Sequence, residues 1–207
     1  MKCVICEERK PRRYCPGVSG DICPACCGEE RENTISCPLD CVYLREARAR
    51  EKPNPPEVIP FREVRVPDRF LDEHRPVFNL ALRSLVDAIS STREAIDYDV
   101  REALEALLRT FKTLQSGLVY ETRPDNPVAA NIYQAMQQGI EQGRGEIANE
   151  TGTSVRDAEV LTALLLLQRL EYRFNNGRKR GRAYVGHLLE RFAPAGAANP
   201  ASPPLIV

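Results

Sequence analysis

The chain has 207 residues, with 29 Lys plus Arg against 29 Asp plus Glu. That length allows one domain or two small ones around a real core, and the balanced charge excludes a generally basic nucleic-acid binder and a strongly acidic disordered chain. Cysteine is distributed unevenly: all eight, Cys3, Cys6, Cys15, Cys23, Cys26, Cys27, Cys37 and Cys41, lie in the first 41 residues.

Residues 1–8 contain no apolar run of the kind that forms a secretory signal, and Ala163–Leu167 within Leu161–Leu170 falls far short of the ~18 to 20 residues of a membrane span. A soluble cytoplasmic chain is expected, and in a reducing cytosol clustered cysteines point to metal ligands before disulfides. Their spacing is C-x2-C-x8-C-x7-C-x2-C-C-x9-C-x3-C. Two CxxC turns, Cys3/Cys6 and Cys23/Cys26, can aim four thiolates at one tetrahedral zinc. Cys15, Cys27, Cys37 and Cys41 are left for a second ion, and the spacing of Cys37 and Cys41 suits the start of a helix. The adjacent side chains of Cys26 and Cys27 diverge, which sends them to different ions. Two zinc ions per chain are therefore expected. With only cysteine ligands neither site leaves a position for water, which makes both structural rather than catalytic. A redox-sensing alternative draws on Arg9-Lys10-Pro11-Arg12-Arg13, close enough to Cys15 to favour its thiolate.

The eight-cysteine pattern resembles the cross-brace and treble-clef zinc fingers as a broad class, including the HIT and MYND type. The resemblance extends over the cysteine segment alone. It departs from those families in the lack of histidine, the stretched third pair and the Cys26-Cys27 doublet.

Residues 1–50 form the cysteine module, which holds too few large apolar side chains for a self-sufficient core. Arg45–Lys52 reads as a charged helical extension. Residues 51–71 read as a linker stiffened by Pro53, Pro55, Pro56, Pro60 and Pro67, in which Phe61–Val66 forms either an edge strand or a strap along the next domain.

From 72 to 192 the apolar residues recur with helical period. A helix over 75–95 gathers Phe78, Leu82, Leu85, Val86 and Ile89 on one face. A second over 98–116 gathers Val100, Leu104, Leu107, Leu108, Phe111 and Leu114, with Gly117 at its C′ position. Asn126 and Pro127 open a third, striped by Val128, Ile132, Met136, Ile140 and Ile147, in which Gly139 and Gly143 permit a close crossing. The fourth starts at Ser154–Asp157 with Asp157 as its capping acid. Leu161, Leu164, Leu165 and Gln168 share one face, and Leu166, Leu167 and Leu170 widen it, which makes this the central helix. Asn175-Asn176-Gly177 ends it, and a fifth short helix covers 182–192. Residues 193–207 are expected to be a disordered tail. The fold class is mainly α: a small cysteine-rich zinc-binding module followed by a bundle of four to five helices.

The chemistry of catalysis is missing from this pattern. His74 and His187, the only histidines, have no nucleophile with an orienting acid nearby, and no phosphate-loop, dinucleotide, zincin or esterase motif occurs. The sharpest charge feature is Arg178, Lys179, Arg180 and Arg182, within a stretch (168–192) carrying seven positive residues and two negative ones. Such a loop can grip phosphates while Phe174 and Tyr184 stack on bases. The competing reading, a solvated turn complementing the end of the fourth helix, is preferred for a neutral chain. The expected function is a non-enzymatic interaction, scaffold or adaptor protein whose partner is another protein or a second copy of itself. The alternatives are a nucleic-acid-binding regulatory factor and a thiol–zinc redox sensor.

Overall fold

The computed structural model describes residues 1–54 and 56–193. Its first part is a hairpin of β1 (Arg13–Cys15) and β2 (Gly20–Ile22), antiparallel with Arg13 opposite Ile22 and Cys15 opposite Gly20. Two short helices follow, α1 (Pro24–Glu30) and α2 (Val42–Arg48). The hairpin's strands are three residues each, too short to show an alternating pattern in the sequence.

The second part is helical: α3 (Phe70–Glu73), α4 (Arg75–Ser91), α5 (Asp97–Gln115), α6 (Pro127–Thr151), α7 (Asp157–Phe174) and α8 (Ala183–Phe192). The four long helices close a ring in which α4 packs on α6 and α7, and α5 packs on the same two. Sequence-adjacent helices are thus not each other's chief partners. Helix α8 lies against α4, α5 and α7, completing the expected bundle of four with a fifth. Leu85, Leu104, Leu107, Leu108, Ile132, Met136, Ile140, Leu164 and Leu165 form its fully buried centre. Among the described residues no helix is long and apolar enough to cross a membrane.

Local chemistry explains most of the boundaries. The Asn126 side chain accepts from Val128 N at 2.9 Å and caps α6 as its sequence predicts. Gly139 and Gly143 face α4, where a Cβ on the first would lie 2.9 Å from Ser84 Oγ and one on the second would collide with Leu80. That is the close crossing expected from their spacing. At α7 the capping acid is Glu159, whose carboxylate accepts from Arg156 N at 3.2 Å, while Asp157 pairs with Arg144 at 2.7 Å. The difference follows from Arg156 standing at the N-cap, which puts Glu159 and not Asp157 three positions on.

The Phe61–Val66 segment is a strap rather than a strand. Phe61, Val64 and Val66 pack on the bundle core, and Glu63 pairs with Lys112 at 2.5 Å. Of the tail expected over 193–207, all but Ala193 lies outside the described residues.

Candidate metal centre

Cys3 and Cys6 sit on a tight turn fixed by Glu7 N donating to Cys3 O at 2.8 Å, with Glu7 itself at φ 56°. Cys23 follows β2 directly and forms the N-cap of α1, whose first turn carries Cys26 and Cys27. The hairpin thereby brings the two CxxC turns face to face. The sulfur atoms of Cys3, Cys6, Cys23 and Cys26 all lie within 4.8 Å of one another. Zn–S bonds of ~2.3 Å separate the sulfurs of a tetrahedral site by ~3.8 Å, so the four residues fit a metal ion of that kind.

Hydrogen bonding around the sulfurs favours negative charge on them. Cys23 N donates to Cys3 Sγ at 3.2 Å, Cys26 N to Cys23 Sγ at 3.4 Å, and Arg9 Nη1 reaches Cys23 Sγ at 3.8 Å. Burial works to raise the Cys3 thiol, but the backbone N–H groups of Cys6, Cys23 and Ile5 overcome it and hold it at about 6. Cys26, buried beside the sulfurs of Cys23, Cys6 and Cys3, is pushed up to about 12. Four thiols so close resist ionising together unless a cation supplies the compensating charge.

Among the described residues no second group of cysteine sulfurs lies that close together, and the other four cysteines share only a cavity wall. Cys15, Cys27, Cys37 and Cys41 line one cavity of ≈ 20 Å³ together with Ile22, Ile35 and Leu44. Cys27 points away from Cys26 because neighbouring positions on α1 diverge by about 100°. Its sulfur accepts from Arg13 Nη1 at 3.7 Å and Arg31 Nη2 at 3.8 Å. Gly17 in the hairpin turn makes the approach of Cys37 feasible, since a Cβ there would lie 2.6 Å from Ile35 Cγ2 and 2.8 Å from Ser36 O. Of Cys37 and Cys41, whose spacing suggested a shared helix start, only Cys41 stands at one. Cys41 N bonds to Pro38 O at 3.1 Å in a turn, and Cys41 is the N-cap of α2.

The basic residues singled out in the sequence lie at the joint between the module and the bundle. Arg178 Nη1 donates to Arg31 O at 2.7 Å and its Nε pairs with Glu51 at 3.2 Å. Arg182 Nε donates to Ala95 O at 3.0 Å. Arg180 uses its backbone N, bonded to Glu32 O at 2.7 Å, while its side chain and that of Lys179 are exposed. The Arg9–Arg13 run serves Cys23 and Cys27 through Arg9 and Arg13, not Cys15.

The centre of the joint is Glu32, which nothing in the sequence distinguishes from its charged neighbours Glu29, Glu30 and Arg31. It is 0% exposed and held at φ 51°. Its carboxylate accepts from Arg48 Nη2 at 2.6 Å, Arg182 N at 2.9 Å and Asn176 Nδ2 at 3.0 Å. Its partners stand up to 150 residues away, so no local pattern marks it.

The His74 ring is tilted against Phe70 with centroids 5.1 Å apart and lies 3.8 Å from Glu159, and His187 stacks on Phe174 with ring centroids 3.9 Å apart. No family model matches the chain, and neither a curated protein nor a solved structure matches it.

Proposed function

We propose that this chain is a non-enzymatic zinc-binding protein that acts as a protein–protein interaction or adaptor factor. Zinc in the Cys3, Cys6, Cys23 and Cys26 site organises the module, and a second zinc is held by Cys15, Cys27, Cys37 and Cys41. The convergence of the first four sulfurs within 4.8 Å carries the metal part of this reading. Cysteine-only ligation leaves each ion saturated, with a stabilising role.

The interaction part is supported by the α5–α6 connection. Leu118, Val119 and Tyr120 are 63%, 95% and 67% exposed, three successive apolar side chains. The backbone beneath them is pinned: Thr113 Oγ1 donates to Tyr120 O at 2.9 Å, and Thr122 N donates to Thr110 Oγ1 at 3.0 Å. A pinned loop that presents apolar side chains to solvent suits a partner surface. The nucleic-acid alternative has less to draw on, because Arg178 and Arg182 are engaged inside the chain.

Cross-linking the full chain in its native extract, with Val119→Asp beside it, tests this reading. Partners, or a second copy of the chain, captured by the parent and lost in the variant support it. Capture unchanged by Val119→Asp refutes the assigned surface.

A further inference from the structure

A second candidate ligand site lies where the cysteine module meets the bundle, apart from both cysteine sets. It is an open cleft of ≈ 480 Å³ between α2 with the segment after it (Arg45, Arg48, Lys52) and the α7–α8 region (Arg173, Phe174, His187). Its size is within the range of small-ligand sites, and such sites favour the seams between structural units.

The charges lining the cleft divide into spent and free. Arg48 is committed to Glu32 at 2.6 Å, and Glu51 to Arg178 at 3.2 Å. Among the described residues Arg45, Lys52 and Arg173 have no carboxylate within ion-pair distance, and they are exposed. Among the described residues the one free carboxylate on the cleft is Glu190. Three free cations against one free anion define a site for an anionic ligand. Arg48 lines the same cleft and its Nε is buried without a hydrogen-bond acceptor, while Glu51 Oε1, also on the cleft, is held only by its ion pair with Arg178. A buried N–H without a partner is costly, and an anionic oxygen relieves that cost.

One wall is aromatic. The rings of Phe174 and His187 are stacked at an interplanar angle of 19°, and Phe174 stacks further on Tyr184 with centroids 6.2 Å apart. A planar heterocycle can extend such a stack while the phosphates attached to it reach the arginines.

We infer that this cleft binds a nucleotide, its phosphates on Arg45, Lys52 and Arg173 and its base against the Phe174–His187 pair. The inference goes beyond the adaptor reading and does not depend on the α5–α6 surface.

Calorimetric titration of the full, metal-loaded chain at low salt with ADP, pyrophosphate and adenosine tests it. ADP is expected to bind more tightly than either fragment, and raised salt is expected to weaken it. Arg45→Ala and Arg173→Ala, both at exposed positions, should each weaken ADP by about 10-fold. Glu190→Gln should tighten it, and Lys179→Ala, which removes an exposed charge outside the cleft, should leave it unchanged. His187→Ala should bring ADP down to the affinity of pyrophosphate. Absence of ADP binding in a folded, metal-loaded chain overturns the inference, as does binding that Arg45→Ala and Arg173→Ala leave unaltered or that Lys179→Ala weakens equally. Pyrophosphate binding as tightly as ADP overturns the base contact. None of these failures alters the metal content or the α5–α6 surface, which are measured separately.

Discussion

Glu32 Oε1 accepts a hydrogen bond from Arg48 Nη2 at 2.6 Å, and the carboxylate is completely withdrawn from solvent. The same oxygen takes Arg182 N at 2.9 Å, and the other takes Asn176 Nδ2 at 3.0 Å. One side chain of the cysteine module thus satisfies donors from α2 and from the α7–α8 loop together. Glu32→Ala should destabilise the chain by about 3–5 kcal/mol in equilibrium denaturation, because it leaves the Arg48 charge buried without its partner. Arg180→Ala is the control: only its backbone bonds to Glu32, so its side chain can be removed with little change.

Much of the bundle was legible because burial of one helix face writes a period into the sequence. The stripes of α4 to α7 are the core, and Asn126-Pro127 and Gly177 stand at helix ends as their chemistry requires. The first cysteine site was legible too, since CxxC turns constrain geometry over very short separations. The joint was not. Glu32 and Arg182 meet across 150 residues of sequence, and Arg178 reads as a free loop cation although its guanidinium bonds to Arg31 O.

The α4–α6 crossing depends on a missing side chain. Gly139→Ala gains about 1 kcal/mol of helix propensity but sets a Cβ 2.9 Å from Oγ and 3.2 Å from Cβ of the buried Ser84, and overpacking costs about 1–3 kcal/mol. A net loss of stability is expected. Gly145→Ala, on the same helix with nothing within 4 Å of its added Cβ, should instead gain about 0.5–1 kcal/mol. Thermal unfolding of the two variants separates the crossing from propensity.

Gln168 lies on the apolar face of α7, as the sequence places it, and is buried with neither amide atom hydrogen-bonded. An unsatisfied buried polar group costs about 1–3 kcal/mol. Gln168→Met keeps the shape and removes the polar atoms, so it should raise stability by about 1 kcal/mol. Denaturation midpoints at a constant slope check the result.

Asp97 caps α8 from the start of α5, accepting from Ala183 N at 2.8 Å, Val185 N at 3.0 Å and Tyr184 N at 3.2 Å. Burial raises its carboxyl above the ordinary value, against the pull of the Val185 and Tyr184 N–H groups. The folded chain therefore holds this proton more tightly than the unfolded chain. The associated stability is fully present below the unfolded carboxyl value of ~3.9 and is lost as pH rises through the folded one. Asp97→Asn should abolish that slope in a pH series of denaturation curves. It should also cost about 1 kcal/mol at neutral pH, where the amide turns an N–H toward one of the three backbone donors.

The most direct test is the metal content of the purified chain, measured by elemental analysis alongside circular dichroism. Two zinc ions per chain are expected, with one remaining after Cys37→Ser, and chelation should unfold the module while the helical signal of α4 to α8 persists. A folded module with no bound metal, or with its cysteines joined as disulfides, would contradict a metal-built module.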